Sequence, residues 1–564
     1  MRSRHEQIRS AERDVVVKAV IASLGLLILA SVAKAQPPNL IVIMSDDQGT
    51  NSVSAYGPGI GGVVSTPNID RLATEGVKFT NAFGVDQICA PNRATLLTGK
   101  YGHRHGVLRN EDVFDGSQTT VAHLLKAAGY RTAIIGKWHL ISSPGEAGFD
   151  YWNVFVDSNP PYANPNFDRN GVVTPSTGYA TDLITTDAIE WLTANSSDTG
   201  PFALFIMHKA PHDPFVPAER HQSLYPTDLA HPATFTDRWM GRALPAQLPK
   251  FLLRPILLGT WLGAQYQALG KAPLPVGLSV EQEEDWIYQQ YAKDYLRTVA
   301  ALDESVGSVL DFLDANHDEA GRLADDTAVI FTSDNGNLVG EHFSFGKRRP
   351  YEEILRLPFL MRAPGVAPGT VVSQTVLNTD TAPTLLDLAG VAIPGDMQGR
   401  SLLELLGSSP AEDWRTSFYF NHYQWDARHV VPYYGIRTDR FKLINHYGRQ
   451  WGGQQAWELI DLHADPGELT NVYGDARSAS VIRMLKWEIV KWQVTLGINP
   501  DVAACVGDMD RDGAITMMDV FSVRSCVGSL AEGGCVLADF DANGFITLGD
   551  LIRSSRAVGQ TCAE

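Results

Sequence analysis

The stretch Leu40-Ile41-Val42-Ile43-Met44-Ser45-Asp46-Asp47 joins five consecutive apolar residues to two carboxylates. A continuous apolar run of this length is typical of a β-strand covered on both faces, as in a parallel sheet. In open α/β sheets, functional sites form outside the carboxyl ends of the strands. The stretch therefore predicts a buried strand that carries Asp46 and Asp47 to the functional edge of an α/β sheet.

Three other short apolar runs end in polar residues in the same way. They are 132–135 before Gly136-Lys137-Trp138-His139, 202–207 before His208 and His212, and 327–332 before Ser333-Asp334-Asn335-Gly336. Helical patterns, for example at 119–128 and 291–313, lie between such runs, so alternating strands and helices are the simplest architecture. We therefore expect a mostly parallel central sheet, with all four polar clusters converging on one edge.

The composition allows a large, folded, acidic protein. The 564 residues are 44% hydrophobic and 20% charged, which is enough to bury a sizeable core and excludes global disorder. The formal charge is -18, from 46 basic and 64 acidic side chains. This charge argues against nucleic acid as a partner, and an anionic substrate would need local cations inside a cleft.

The first 35 residues have the pattern of a secretory signal. Four arginines precede the apolar run 19–32, which ends in Ala33-Lys34-Ala35 before Gln36. A basic start, a short apolar stretch and an A-x-A site predict cleavage and export to the periplasm or the medium. An N-terminal membrane anchor is the alternative, and no other stretch is long and apolar enough to span a membrane.

Composition changes divide the remainder of the chain. Beyond residue 402 the segments become shorter and richer in Trp and Tyr, which indicates a smaller α+β subdomain. Beyond residue 499 an internal repeat begins. We therefore predict a catalytic domain at 36–401, a C-terminal subdomain at 402–498 and a separate tail at 499–564.

The tail repeat has the pattern of two calcium-binding loops. Oxygen-bearing side chains occupy loop positions 1, 3, 5 and 12, with glycine at position 6. The candidate ligands are Asp508, Asp510, Asp512 and Asp519 in the first loop, and Asp539, Asp541, Asn543 and Asp550 in the second. The repeat resembles a type I dockerin, and the resemblance implies two calcium ions and a cohesin-type partner. A calcium-stapled stability module without a partner is the alternative.

Four of the five cysteines lie in this tail. Cys505 and Cys526 bracket the first loop, and Cys535 and Cys562 bracket the second. In an exported chain we expect these two pairs to form disulfides, which leaves Cys89 unpaired.

The segment Cys89-Ala-Pro91-Asn-Arg93, followed by Leu97-Thr98-Gly99, resembles the signature of type I sulfatases. In that family a modifying enzyme, the formylglycine-generating enzyme, oxidises the cysteine to formylglycine. The resemblance extends from residue 38 to about residue 496, because further motifs occur in family order. It implies an alkaline-phosphatase-like α/β fold and hydrolysis of sulfate esters. Two departures are Asn92, where Ser is commonest, and Ile141, where Gly usually follows the Lys-Trp-His-Leu run.

The resemblance also implies roles for individual residues. The implied calcium ligands are Asp46, Asp47, Asp334 and Asn335, completed by the modified Cys89. Arg93, Lys137 and Lys347 would neutralise the charge of the sulfate. His212, assisted by Lys347, would give a proton to the departing sugar oxygen, and His139 would act as base when sulfate leaves. The resemblance assigns no firm role to the nearby histidines His103, His105, His208 and His342.

Three segments look most like those of N-acetylglucosamine-6-sulfatases, which act from chain ends on glycosaminoglycan or mucin-type glycans. They are 148–153, 347–353 and 434–443. Loops 157–178 and 220–277 are expected to build the substrate pocket. The alternatives are a sulfatase for another polysaccharide or an aryl sulfate, a phosphoester or phosphonate hydrolase on the same scaffold, and a non-catalytic calcium-dependent scaffold protein.

Overall fold

The computed structural model describes residues 37–196, 200–247, 269–317, 321–407, 411–424, 430–447 and 456–498. The predicted signal sequence and the tail, with its calcium loops and cysteines, lie outside these ranges. No helix within the ranges is long and apolar enough to cross a membrane.

The strands are numbered in chain order. They are β1 (Asn39–Ser45), β2 (Val77–Phe79), β3 (Ala82–Phe83), β4 (Arg131–Gly136), β5 (Tyr151–Phe155), β6 (Asn166–Arg169), β7 (Val172–Pro175), β8 (Phe202–Met207), β9 (Thr327–Ser333), β10 (Leu338–Val339), β11 (Phe345–Gly346), β12 (Phe359–Arg362), β13 (Thr370–Val372), β14 (Val376–Leu377), β15 (Ser417–His422), β16 (Tyr433–Thr438), β17 (Phe441–His446) and β18 (Ala456–Asp461).

The α-helices of the described residues follow the same convention. They are α1 (Pro67–Thr74), α2 (Cys89–Thr98), α3 (Gly102–His105), α4 (Val121–Ala127), α5 (Ala180–Asn195), α6 (Leu244–Gln247), α7 (Val280–Ala315), α8 (Glu352–Leu355), α9 (Thr381–Leu388) and α10 (Ala479–Leu496).

Ten strands form the central sheet, in the order β13-β2-β12-β9-β1-β8-β4-β5-β6-β7. The four predicted strands are β1, β4, β8 and β9, and with β5 they form a parallel block. The sheet as a whole is mixed rather than mostly parallel. Strand β12 runs antiparallel to β9 and β2, and β6 runs antiparallel to β5 and β7. The two-residue turn between β6 and β7 is too short for the helical crossover that parallel neighbours require.

Both faces of the parallel block are buried, which explains why its strands are continuously apolar. In β1, Leu40, Val42 and Met44 pack in the core on one face of the sheet, and Ile41 and Ile43 pack in the core on the other face. Successive side chains of a strand point to opposite faces, so a strand covered on both sides needs an apolar residue at every position.

The C-terminal subdomain is an antiparallel sheet in the order β15-β16-β17-β18, with α10 packed on it. A buried ion cluster joins it to the larger domain: the Lys442 ammonium on β17 lies 3.0 Å from the Glu352 carboxylate on α8 and 2.7 Å from that of Glu468. Leu402 and Leu405 pack in the core of the larger domain. The subdomain is thus held to the larger domain by buried charged groups and by a shared apolar core in which Phe83 stacks on Phe418.

We expect Gly136→Ala to lower the free energy of unfolding by about 3 kcal/mol. Gly136 ends β4 at φ +104°, and an added Cβ would lie 2.0 Å from the Met207 carbonyl oxygen on β8. That oxygen accepts the backbone N–H of Lys137, so the substitution should also displace Lys137 and reduce turnover. Gly129→Ala is the matched control, because Gly129 has φ +91° with open space around it. It should cost only about 1 kcal/mol in denaturant titrations, and equal losses in the two variants would contradict the steric argument.

Candidate active site

Acidic residues from two neighbouring strands meet at the carboxyl edge of the parallel block. Strands β1 and β9 pair in register through Ser45 and Ser333, so Asp46 and Asp47 emerge beside Asp334. Carboxylate oxygens of these three residues and the Cys89 Sγ atom all lie within 4.8 Å of one another, and all four residues are buried. Carboxylate oxygens are the ligands that a hard divalent cation prefers, so this donor set fits such a cation.

Cys89 is the first residue of α2 and is completely buried. Its Sγ atom lies 2.7 Å from the Lys347 ammonium and 3.6 Å from the Asp46 carboxylate. Burial raises the pKa of the Cys89 thiol to about 12, even though Lys347 and Lys137 oppose this shift. An unmodified cysteine here is therefore protonated at neutral pH and is a weak nucleophile.

Two buried lysines neutralise the first pair of carboxylates. Lys137, directly after β4, forms an ion pair with Asp46, and Lys347, directly after β11, forms one with Asp47. Burial alone would raise the pKa of Asp46, but Lys137 and the other nearby cations hold it well below its usual range. Asp46 is therefore ionised in the folded protein.

Arg93, on the first turns of α2, holds three parts of the site together. Its Nε and Nη2 atoms donate to the Asp334 carboxylate at 3.1 and 2.9 Å, and Nη1 donates to the Lys137 backbone carbonyl at 2.7 Å. Beside it, the buried Asn92 amide donates to the Asp334 carbonyl at 2.7 Å and lies 2.9 Å from the Asn335 side-chain oxygen. Asn92 thus fastens α2 to the Asp334-Asn335 pair at the position where sulfatases most often have Ser.

Two histidines reach the same site in the neutral form. The Nδ1 atom of His212 lies 2.6 Å from the Asp213 backbone carbonyl, and Nε2 lies 3.6 Å from the Asp47 carboxylate. Burial lowers the pKa of His212 well below its usual value, and burial together with Lys137 does the same for His139. The buried Nδ1 atom of His139 has no hydrogen-bond partner among the described residues.

The four histidines to which the resemblance assigns no firm role lie outside this donor set. Each has a hydrogen-bond partner elsewhere: Leu496 carbonyl for His103, Thr95 for His105, Ser305 for His208 and Asp237 for His342. None of the four belongs to a possible metal-binding group of the described residues.

A cavity of about 930 Å³ opens above the site. Asp47, His139, His212 and Lys347 lie at its inner end, and loop 157–178 contributes to its wall, as expected. Within the described residues, the insertion 220–277 does not line this cavity. Its Asp237 and Trp239 instead pack on the hairpin formed by β10 and β11, because both make hydrogen bonds with His342.

Sequence reasoning missed one part of the cavity wall. Arg348 donates to Gln424 at 2.9 Å, and Gln424 donates to Glu111 at 3.1 Å. Arg348 directly follows Lys347 in the sequence, and this position could have indicated that it lies at the site. Gln424 follows β15 in the C-terminal subdomain, and no local pattern in the sequence marks it.

Residues 38–391 match the sulfatase family, and residues 340–495 match the C-terminal region of N-sulphoglucosamine sulphohydrolase. The chain belongs to the sulfatase family. This sulfatase is a sulfuric ester hydrolase, and members of its family generally use a metal ion and a formylglycine.

This sulfatase is 38% identical to an N-acetylglucosamine-6-O-sulfatase of Bacteroides thetaiotaomicron over 505 residues, covering 82% of this chain and 88% of the relative. It is 28% identical to an ulvan-active sulfatase of Formosa agariphila over 475 residues, covering 82% of each chain. A solved structure in complex with its substrate, D-glucosamine-2-N,6-O-disulfate, matches with a TM-score of 0.72 and 35% identity. That match covers 82% of this chain and 99% of the other. The expected sulfatase fold and enzyme class are thereby confirmed.

We expect Arg93→Lys to reduce turnover at least about 100-fold and to lower the free energy of unfolding by about 2–4 kcal/mol. A lysine keeps the charge but cannot donate to Asp334 and to the Lys137 carbonyl together. Arg109→Lys is the control, because Arg109 makes a similar two-nitrogen contact with Asp112 at the exposed surface. Its stability should change by less than about 0.5 kcal/mol. Wild-type turnover in Arg93→Lys would show that the bridging geometry is dispensable.

Proposed function

We propose that this sulfatase removes the 6-O-sulfate of N-acetylglucosamine residues at the ends of sulfated glycans. The buried Cys89, set between carboxylates and Lys347, carries the catalytic part of this proposal. The similarity to an N-acetylglucosamine-6-O-sulfatase over most of both chains supports the substrate. We further propose that Cys89 is converted to formylglycine by a formylglycine-generating enzyme.

The donor set supports a calcium ion held by Asp46, Asp47, Asp334 and Asn335, with the modified residue 89 completing the site. A cation held there would lower the pKa of the hydrated aldehyde and so would favour its oxyanion form as the nucleophile at neutral pH. Within the described residues, every group of side chains able to hold a metal contains Asp46 or Asp47. These groups therefore overlap in one site at the edge of the sheet.

The two buried lysines of the site are also placed to bind the sulfate group of the substrate. A cation shared by Asp46 and Asp47 would weaken the hold of these carboxylates on the lysines. The Lys347 ammonium lies 2.7 Å from Cys89 Sγ and Lys137 pairs with Asp46, so both ammonium groups are placed to contact the sulfate oxygens. These charges stabilise the negative charge that spreads over the sulfate in the transition state.

Proton transfer falls to the two histidines. His212 is neutral in the resting site, and a bound sulfate raises its pKa because a nearby anion favours the imidazolium form. His212 then donates a proton to the departing sugar oxygen, with Lys347 assisting. His139, whose Nδ1 atom has no partner among the described residues, accepts a proton from residue 89 when sulfate leaves.

The surrounding segments complete the proposal. Residues 1–35 direct export to the periplasm or the medium, where sulfated glycans occur, and no membrane span remains after cleavage. The tail at 499–564 binds two calcium ions and docks on a cohesin-type partner. These assignments rest on the sequence patterns described above.

Sulfate release from defined sugars tests the substrate. We expect kcat/KM for N-acetylglucosamine-6-sulfate to exceed that for the 3-sulfate isomer and for galactose-6-sulfate by at least about 100-fold, because a pocket that positions sugar hydroxyls rejects isomers strongly. An oligosaccharide with the sulfated residue at its non-reducing end should react, and one with it inside the chain should not. Sulfate release only from ulvan-type polysaccharide or aryl sulfates would contradict the assignment.

Substitutions of Cys89 test the chemistry. Cys89→Ala should abolish turnover with little loss of stability, because one small buried side chain replaces another. Cys89→Ser should attack sulfur once and retain the sulfate, since serine has no second hydroxyl with which to expel it. Mass spectrometry of the tryptic peptide should show the aldehyde or its hydrate in active wild type and a sulfated serine in the variant. Full activity with an unmodified thiol would refute the mechanism.

A further inference from the structure

The cavity above Cys89 changes its character from its inner end to its mouth. Besides Asp47, four carboxylate residues line it, and we call them the acidic wall: Glu111, Asp157, Asp168 and Asp213, the last with its carboxylate 3.2 Å from His212 Nδ1. Among the described lining residues the cations are Lys347, which pairs with Asp47, and Arg348, which donates to Gln424. Between the sulfate-binding inner end and the mouth, anionic side chains therefore outnumber cationic ones along the cavity lining.

The Lys209 ammonium group contacts a residue of the acidic wall without lining the cavity. Lys209 is buried behind it and donates to the Asn159 side chain at 2.7 Å and to the Asp213 backbone carbonyl at 3.2 Å. Lys209 is not among the lining residues. It therefore supports the shape of the wall from outside the lining.

Three exposed apolar residues share the mouth with these carboxylates. We call Ile141, Val156 and Val173 the apolar ledge; their exposed fractions are 57%, 49% and 61%. Ile141 adopts φ +58°, a left-handed conformation that is unfavourable for a β-branched residue. Strained residues that persist at a site mouth commonly serve a ligand, and an apolar ledge suits a methyl group or the apolar face of a sugar ring.

We infer that this mouth selects sugars whose only anionic group is the reacting sulfate, and in particular N-acetylated over N-sulfated glucosamine. The inference rests on the proposed function and specifies its substrate class: glycans with neutral neighbouring sugars rather than uronates or N-sulfated units. It separates this chain from the solved relative whose substrate carries a 2-N-sulfate.

The physical basis is repulsion combined with desolvation. The Debye length is about 8 Å at physiological salt, so the acidic wall acts on any anion held in the same cavity. A second sulfate would lose water and meet like charges, whereas an acetyl methyl group loses little on contact with the apolar ledge.

The test compares kcat/KM of the formylglycine-containing full chain for N-acetylglucosamine-6-sulfate and N-sulfoglucosamine-6-sulfate. We expect a preference of at least about tenfold for the N-acetyl sugar at low salt, the size of effect that like charges in a recognition site produce. Raising NaCl to 0.5 M should narrow it at least twofold by screening, since the Debye length falls below about 5 Å. Equal rates, or a preference for the N-sulfo sugar, would overturn the inference.

Variants assign the effect to the acidic wall and the apolar ledge. Asp157→Asn should reduce the ratio of the two kcat/KM values about threefold by raising kcat/KM for the N-sulfo sugar, because one of the four repelling charges is removed. Asp439→Asn is the matched control, an exposed carboxylate in the turn between β16 and β17 that does not line this cavity, and it should leave the ratio unchanged. Ile141→Gly should raise KM for the N-acetyl sugar, because it removes the apolar contact. It should leave kcat unchanged, because glycine adopts the positive φ at this position without strain. If Asp157→Asn changes kcat/KM for both substrates by the same factor, the acidic wall does not discriminate between substrates by their charge.

Failure of the proposed function itself would give a result that differs from failure of this inference. If neither sugar releases sulfate while an aryl sulfate is hydrolysed, the 6-O assignment is wrong. The mouth can then still be tested by using the two sugars as inhibitors of aryl sulfate hydrolysis. The inhibition constants should differ in the same direction, and equal constants would overturn the selection by charge.

Discussion

Three carboxylates buried at one edge of the central sheet are the constraint on which the rest of the site depends. Asp46, Asp47 and Asp334 lie close enough to share one cation, in surroundings where an uncompensated charge is very costly. Arg93, Lys137 and Lys347 offset them, and each cation comes from a different element of the fold. The site therefore requires α2, β4, β9 and the β10–β11 hairpin to be in place together.

Contacts with the long insertion fix the β10–β11 hairpin and thereby position Lys347. The hairpin that precedes it is fixed at its tip by His342, which lies 2.9 Å from the Asp237 carboxylate of the long insertion. Trp239 of the same insertion donates to the His342 carbonyl at 2.8 Å, and the Arg349 guanidinium lies 3.8 Å from the Trp239 ring centre. The insertion thus serves the inner end of the cavity through the hairpin rather than by lining the wall.

The substrate cavity combines two electrostatic requirements. Its inner end must attract a sulfate, and the buried lysines beside Cys89 meet that need. Its mouth is acidic and apolar, so attraction is confined to the reacting group. In a protein with a formal charge of -18, this local arrangement of cations is what makes an anionic ester an acceptable ligand.

The sequence by itself determined the parts that depend on local pattern. Continuous apolar runs predicted β1, β4, β8 and β9, because a strand covered on both faces needs apolar residues at every position. The convergence of Asp46 with Asp334 followed from parallel strands sharing one edge, and the Cys89 motif indicated the family. Only the tertiary structure decided the antiparallel placement of β12 and the contact of Gln424 with the cavity-lining residues Arg348 and Glu111. Both depend on packing between segments far apart in the chain, where many small contacts decide the outcome and no short pattern records it.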